Sequence, residues 1–323
     1  MLVWIAFFLL VAAAAWWMTG MPGQSHSGPL APLSDAEVDL RRRLEGHVRV
    51  LAGEIGERNV WRPGQLAAAA RYVEDQLTGS GHSVVGEDFT AGGVAVRNLV
   101  VERRGLILPD EIVVVGAHYD SVMGSPGAND NATGVAALLE IARGIVHRQP
   151  RRTVRCAFFV NEEPPLYLTD AMGSLAHARR ARRRGETVAA MLSLETIGYY
   201  TDAKRSQHYP FPFALFYPAT GNFVGFVANL RSRGLVRRSV ASFRRHAAFP
   251  SEGVAAPGWI PGIGWSDHWS FWQQGYPAVM VTDTALFRYG PYHTREDTPD
   301  KVGFDRLARV VGGLERVVAE LAD

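Results

Sequence analysis

The spacing of hydrophobic residues changes repeatedly along the chain from Val94 onward. Short apolar runs bounded by turn residues are typical of buried strands, whereas apolar residues at every third or fourth position are typical of amphipathic helices. The two kinds of segment alternate, which predicts an α/β fold with βαβ units and a largely parallel sheet between helices. The predicted segments are strands 94–102, 111–117, 153–160, 188–195 and 278–282, and helices 132–147, 171–183 and 304–321.

Two further helices are predicted before the alternating region. Ser34 and Glu37 match a capping box, in which each side chain accepts a hydrogen bond from the backbone of the other residue. This box opens a helical pattern that extends to Leu51, and a second helix is predicted at residues 65–77.

Residues 200–261 interrupt the alternation and are interpreted as an insertion that shapes a cleft. The stretch Tyr209–Phe213 is rich in proline and aromatic residues. Residues 222–233 have a helix-like spacing of apolar positions. Residues 251–264 are rich in glycine and proline, which predicts a loop.

The N-terminal segment is uncharged and apolar from Leu2 to Met18. This length is close to the minimum of about 17 residues that a helix needs to cross a bilayer. An uncleaved anchor is favoured because the segment lacks the basic start of a signal peptide, and because Trp16 and Trp17 resemble an interfacial aromatic belt. A cleaved signal peptide is the alternative, since Ala12–Ala15 offer a small-residue cleavage site.

The following residues, 19–32, are rich in glycine, proline and serine and are expected to form a tether. The predicted division is therefore an anchor or signal peptide with its tether at residues 1–33, and one catalytic domain at residues 34–323. An anchored chain would carry this domain on the extracytoplasmic side of a membrane. A cleaved chain would be secreted or periplasmic.

Composition excludes few classes of function. The 323 residues are 47% hydrophobic and 20% charged, which is the balance of a globular protein with a large core. The formal net charge is +2, and the densest arginine runs, 41–43 and 179–184, contain no aromatic residues that could stack on bases. We therefore expect no nucleic acid partner. Cys156 is the single cysteine, so an intrachain disulfide is impossible.

Side chains suited to metal binding follow the predicted strands. His118 and Asp120 come after one strand, Glu162 and Glu163 come after the next, and Asp130 lies in a Gly- and Asn-rich loop between them. Because open parallel sheets carry functional groups at the carboxyl ends of their strands, these side chains are expected to lie together. The pattern predicts a hydrolase site that binds two zinc ions.

Hydrolysis of an amide at neutral pH needs an activated water and a Lewis acid, which two metal ions about 3.5–4 Å apart can supply. Asp130 is placed to bridge such a pair, and His118 to bind one ion. Asp120 is expected to accept a hydrogen bond from the other ring nitrogen of His118. Glu162 and Glu163 diverge in an extended segment, so one can bind metal while the other acts as general base.

Together, these motifs resemble the M28 family of zinc metallopeptidases. The motifs are His118-Tyr-Asp120, the loop Gly127-Ala-Asn-Asp130-Asn131, Glu162-Glu163, Glu195 after a later strand, and the late segment Tyr292-His293-Thr294. The resemblance covers most of residues 98–302. It implies a three-layer α/β/α sandwich around a mixed sheet.

By the same resemblance, the chain would bind two zinc ions. One would be held by Asp130, Glu163 and His293, and the other by Asp130, His118 and Glu195. Glu162 would be the general base. The late acidic ligand of the family is often Asp, so Glu195 departs from the common pattern by one methylene group.

The activity implied is that of an aminopeptidase acting on peptides with a free N-terminus, although the family also includes carboxypeptidases and dipeptidases. Glutaminyl cyclases are an alternative, since they resemble the family, bind one zinc ion and cyclise N-terminal glutamine. Asn131 and the segment Tyr292–Thr294 look more like the peptidases. A non-catalytic binding domain is the other alternative, and the intact set of ligands argues against it.

Overall fold

The computed structural model describes residues 2–91 and 93–323, and of residues 2, 3 and 5–11 it describes only the backbone. The α-helices in this part of the chain are α1 (Leu2–Thr19), α2 (Asp35–Val48), α3 (Pro63–Gly79), α4 (Thr133–Ile145), α5 (Gly173–Arg183), α6 (Arg233–His246), α7 (His268–Gln273) and α8 (Phe304–Ala322). The strands are β1 (Val85–Ala91), β2 (Val94–Arg103), β3 (Leu108–His118), β4 (Arg152–Phe159), β5 (Thr187–Glu195), β6 (Val224–Asn229), β7 (Ser251–Ala256) and β8 (Ala278–Thr282).

The strands form one mixed sheet with the order β1-β2-β4-β3-β5-β8-β6-β7. Its centre is parallel, because β4, β3, β5 and β8 run in the same direction. The sheet becomes antiparallel where β2 pairs with β4 and where β6 pairs with β8. The four central strands therefore end at one edge, which is where the sequence predicts the site.

Helices cover both faces of this sheet. The neighbours Phe158 and Phe159 of β4 point to opposite faces, as successive residues of a strand do. Helices α2, α3, α4, α6 and α8 pack on the face of Phe158, and α5 and α7 pack on the face of Phe159. The predicted α/β class with a mixed sheet is confirmed.

Two predictions within the insertion are wrong. Residues 222–233, with their helix-like spacing, contain strand β6, and residues 251–264, predicted as a loop, begin with strand β7. Strand β6 is buried at every position except Asn229. A strand buried on both faces lacks the alternation of polar and apolar residues that would reveal it in the sequence.

Residues 20–31 lie against the catalytic domain, although the sequence predicts a tether there. Their backbone carbonyl groups accept hydrogen bonds from arginines of α6, including one from Arg244 Nη1 to Gly23 of 3.0 Å. Met21 packs beside Gly253, where the missing Cβ leaves room for its side chain. Composition predicted a flexible segment because it does not reveal these partners on α6 and β7.

No helix in the described part of the chain has the length and the apolar character needed to cross a membrane. Most of the apolar side chains of the predicted anchor, at residues 2, 3 and 5–11, lie outside that description. The membrane anchor stays a prediction.

Candidate metal centre

The carboxyl edge of the central strands brings the predicted site residues together. His118 is the last residue of β3, and Glu195 is the last residue of β5. Glu162 and Glu163 follow β4, which pairs with β3 in parallel. All four side chains are buried.

Asp130 lies between the two histidines of the site. Its Oδ1 atom is 3.4 Å from Nε2 of His118, and its Oδ2 atom is 3.1 Å from Nε2 of His293. The two carboxylate oxygens therefore face two different imidazole rings. Asp130 can therefore contribute one oxygen to each of two groups of side chains.

Two groups of potential ligands meet at Asp130. The first consists of Asp130, His118 and Glu195, and the second of Asp130, Glu163 and His293. Within each group the candidate ligand atoms lie within 4.8 Å of one another. Both groups match those implied by the family resemblance.

The histidines of this centre lack ordinary hydrogen bonds. Both ring nitrogens of His118 and Nε2 of His293 are buried and have no hydrogen-bond partner among the described residues. A buried polar atom is normally paired, so these nitrogens fit a role as metal ligands. Imidazole nitrogen and carboxylate oxygen are donors that suit zinc.

The centre concentrates negative charge in a buried space. Burial, together with the charges of neighbouring carboxylates, raises the pKa of the Glu162 carboxyl well above its usual range. Burial and the charge of Asp130 raise the pKa of Glu163 to about 8. Burial lowers the pKa of His293, but the carboxylates of Asp130 and Glu163 outweigh it and raise this pKa to about 10. Protons or cations must compensate such a cluster.

Glu162 is separate from both groups of ligands. Its Oε2 atom is 3.9 Å from Nε2 of His118, and neither three-residue group found among the described residues includes it. The sequence prediction that the adjacent Glu162 and Glu163 diverge agrees with this arrangement. Glu162 is thus free to contact a substrate or a water molecule.

Asp120 holds the segment that carries the glutamate pair. Its Oδ1 and Oδ2 atoms accept hydrogen bonds of 3.2 Å from the backbone N–H groups of Glu162 and Glu163. Its Oδ1 atom is also 3.4 Å from Nδ1 of His118, although no hydrogen bond forms there. Asp120 therefore links two of the loops at the site.

His293 is held by the backbone and by a neighbouring ring. Its φ angle is 60°, in the left-handed region that few residues other than glycine adopt. The ring of Tyr292 stacks on it with centroids 3.9 Å apart and an angle of 17° between the planes. Such local strain is common at functional sites.

The pattern of the sequence did not reveal two supporting residues, Arg58 and Asp297. Arg58 is completely buried and donates hydrogen bonds to the carbonyl oxygens of Tyr119 (2.7 Å) and Gly127 (2.8 Å), at the two ends of the loop after β3. Asp297 accepts a hydrogen bond from the backbone of Asp130. Asp297 lies four residues after His293, and this closeness to the late motif was the one feature of the sequence that could have indicated its role. Arg58 lies in no motif.

An apolar cavity of about 110 Å³ opens beside the metal centre. Glu195 and Tyr292 lie at its end nearest the centre, and Phe213, Phe226 and Met280 are among its walls. Most of these walls come from residues 200–264. This agrees with the interpretation of that region as an insertion that shapes a cleft.

Comparisons with known proteins agree with this site. The family model of Peptidase family M28 matches residues 98–317. The uncharacterized protein YfbL of Escherichia coli K12 is 36% identical over 281 residues, which are 84% of this chain and 85% of the relative.

Two solved structures share the fold. BSAP, a zinc aminopeptidase from Bacillus subtilis, has a TM-score of 0.68 at 15% identity, and the match covers 87% of this chain and 94% of that one. A glutaminyl cyclase from Fimbriiglobus ruber has a TM-score of 0.63 at 20% identity, covering 92% and 98%. At such identities, these likenesses establish the fold alone.

The family match spans more than half of the chain, and the bacterial relative is similar over most of both sequences. The family predicted from the five motifs is confirmed, and with it the predicted class of enzyme, a metallo-exopeptidase. The chain belongs to peptidase family M28.

Proposed function

We propose that this chain is an aminopeptidase that uses two zinc ions. The observation that carries the proposal is the position of Asp130, whose two carboxylate oxygens face His118 and His293. One ion would be held by Asp130, His118 and Glu195, and the other by Asp130, Glu163 and His293.

We assign the role of general base to Glu162. Zinc held at this centre would supply a Lewis acid for the scissile carbonyl and would lower the pKa of a water molecule. The Glu162 carboxylate accepts a proton from that water as its oxygen attacks the carbonyl carbon. Glu162 then donates the proton to the departing amine nitrogen as the C–N bond breaks.

The surroundings of the centre favour a substrate with a free N-terminus. The buried carboxylates attract the ammonium group of a peptide, and the apolar cavity beside Glu195 can take the side chain of its first residue. The name of the neighbour from Bacillus subtilis, a zinc aminopeptidase, supports the same activity.

A glutaminyl cyclase is the second candidate, because one structural neighbour has that name. The cyclases resemble this family but bind a single zinc ion. The present chain offers two groups of candidate ligands that share Asp130. This favours the peptidase.

The test uses the full chain with added zinc and a mixture of free and N-acetylated peptides, one of which begins with glutamine. Mass spectrometry follows the products. We expect single N-terminal residues to be lost from the free peptides only. Loss of ammonia from the glutamine peptide alone would mean a cyclase, and unchanged peptides would contradict both activities.

The role of Glu162 is tested separately with Glu162→Gln. We expect this variant to keep its zinc and to lose about 10²–10⁴-fold in kcat, the usual contribution of general base catalysis. Glu296→Gln is the matched control, since Glu296 is exposed in the loop of His293. Full activity of Glu162→Gln would refute the assignment.

A further inference from the structure

Exposed apolar side chains lie on the segments that line the cavity beside the metal centre, and two of them, Trp265 and Leu286, belong to its lining. They belong to three stretches that line the cavity, namely 209–217, 259–265 and 284–287. Between 42% and 88% of each side chain is exposed. We call this set the apolar rim, and it consists of Phe211, Leu215, Phe216, Trp259, Trp265 and Leu286.

The composition of the two longer stretches is unusual for a protein surface. Residues 209–217 and 259–265 contain no charged side chain. Phe211 is 88% exposed and Trp259 is 82% exposed. Exposed apolar side chains concentrated in this way mark a site of contact with a protein or a membrane.

The end of helix α1 lies against the same part of the molecule. Met18 packs on the buried cluster that includes Phe213 and Ile263, from which the two longer stretches of the rim extend. Trp16, one turn from the end of α1, is 74% exposed. The end of the N-terminal helix and the two longer stretches of the rim are therefore anchored on the same buried apolar cluster.

The sequence of α1 indicates what covers this face. Residues 2–18 include no charged or hydrogen-bonding polar side chain apart from the indole groups of tryptophan, so the helix has no polar face. A partner protein that docks on one side would leave the other sides in water. Lipid surrounds such a helix on every side, and tryptophans are enriched at the lipid–water boundary.

Basic residues border the same face. The guanidinium group of Arg233 lies 4.3 Å from the centroid of the Trp17 ring and donates a hydrogen bond of 2.7 Å to the Trp17 carbonyl oxygen. Arg231 lies two residues before Arg233 and is exposed, and Arg237 lies one turn further along α6. Arginines beside an apolar surface complement the anionic headgroups of a membrane.

We propose that the apolar rim and α1 enter the same leaflet of a lipid bilayer, so that the mouth of the cavity faces the lipid–water boundary. This inference goes beyond the peptidase activity and does not depend on it. It gives the catalytic domain its own membrane-docking surface, in addition to the N-terminal segment.

The test labels single cysteines in the full chain with an environment-sensitive fluorophore. Phe211→Cys reports on the rim. Ile107→Cys is the control, because Ile107 is 58% exposed just before β3, at the end of that strand opposite the site. Native Cys156 is buried, so we expect it not to take up the label. The labelled chains are incorporated into vesicles of phosphatidylcholine and phosphatidylglycerol, with and without brominated acyl chains.

We expect the emission of the label at position 211 to shift to the blue and to be quenched by brominated lipid. The label at position 107 should show neither effect. Equal, unquenched emission from both positions in chains that float with the vesicles would overturn the proposal. A blue shift at position 211 that depends on protein concentration and not on bromine would also overturn it, since it would assign the rim to contact between copies of the chain. Unchanged thermal unfolding of both labelled chains shows that they are folded.

Discussion

The carboxylate of Asp297 accepts a hydrogen bond from the backbone N–H group of Asp130 across 3.0 Å. It accepts two more, from the backbone of Asn129 and from the hydroxyl group of Tyr289, both at 2.8 Å. Asp130 is the residue shared by the two groups of candidate metal ligands. Asp297 thus fixes the loop on which the whole centre depends.

Asp297→Asn is therefore expected to weaken both metal binding and folding. The amide offers one acceptor oxygen where the carboxylate offers two, and its NH2 group faces backbone donors. We expect zinc affinity to fall about 10–100-fold, as other changes to groups that orient metal ligands do. Stability should fall by about 1.5–3 kcal/mol, the contribution of a buried hydrogen bond to a charged group. Zinc titration and thermal unfolding measure the two effects.

The matched control is Asp300→Asn, which changes an exposed carboxylate in the same loop. Neither its zinc affinity nor its unfolding temperature should change. Wild-type zinc affinity in Asp297→Asn would show that this residue does not position Asp130.

Two histidine variants test whether the centre binds two ions. His118 and His293 face different oxygens of Asp130, so His118→Ala and His293→Ala each damage one group of ligands. We expect wild-type protein to retain two zinc ions per chain after dialysis and each variant to retain one. Elemental analysis of the purified chains gives the numbers.

The control for these variants is His208→Ala, at an exposed position. It should retain the wild-type amount of zinc. One zinc ion in wild-type protein, lost completely in His293→Ala and kept in His118→Ala, would favour the single-ion chemistry of a cyclase.

Sequence patterns predicted the central part of the fold well, because its strands are short apolar runs between clear helices. Strand β8 was predicted with its observed bounds. His118 and Glu163 were proposed as ligands because they follow such strands, Asp130 because of its loop, and Glu195 and His293 from the family resemblance. Strand β1 escaped prediction, since its sequence, Val-Gly-Glu-Asp-Phe-Thr-Ala, has no regular alternation. Its pairing with β2 is a tertiary effect that local propensity does not report.

The residues that hold the candidate site in place were harder to predict than the candidate ligands. The side chain of Arg58 reaches the loop after β3 from a segment more than sixty residues earlier in the chain. Long-range contacts of this kind depend on the assembled fold, and a single arginine carries no spacing signal. The path of residues 20–31 was missed for the same reason, because their partners lie on α6 and β7.

Gly134→Ala tests the packing of the loop that carries Asp130. Alanine is favoured over glycine in a helix by about 1 kcal/mol, and Gly134 lies in α4. A Cβ at this position, however, would lie 2.5 Å from the carbonyl oxygen of Leu194 and would also clash with the side chain of Asn131. Overpacking costs about 1–3 kcal/mol, so we expect a net loss of stability and of zinc.

Gly312→Ala is the opposite case. It also replaces a glycine inside a helix, α8, but nothing lies within 4 Å of the added Cβ. We expect this variant to be more stable by about 0.5–1 kcal/mol. Chemical denaturation compares the two. If Gly134→Ala were more stable than the wild type, the loop that carries Asp130 would be able to move away from the added Cβ without a loss of stability.

The last prediction concerns Glu87 of β1, which forms a buried ion-pair cluster away from the metal centre. Its Oε2 atom is 2.9 Å from Nδ1 of His177, and its Oε1 atom is 3.3 Å from Arg180, both on α5. Burial by itself raises the pKa of Glu87, but the hydrogen bond and charge of His177, together with Arg180, lower it to about 2.

A carboxyl group whose pKa is lower in the folded state stabilises the fold when it is ionised. Its contribution is complete above the pKa of about 4.5 in the unfolded chain and is lost as the pH falls towards 2. A shift of this size corresponds to at most about 3 kcal/mol. We expect Glu87→Gln to be less stable at neutral pH, and its free energy of unfolding to fall less steeply between these two pH values.

Asp88→Asn is the matched control, because Asp88 is the next residue of β1 and its pair with Arg97 is exposed to solvent. An exposed pair contributes about 0–1 kcal/mol, so this variant should keep the acid dependence of the wild type. Denaturant titrations from acid to neutral pH compare the three chains. If Glu87→Gln lost stability as steeply in acid as the wild type, the ion pairs between β1 and α5 would not be the cause of the acid sensitivity, since the variant has no carboxylate there to protonate.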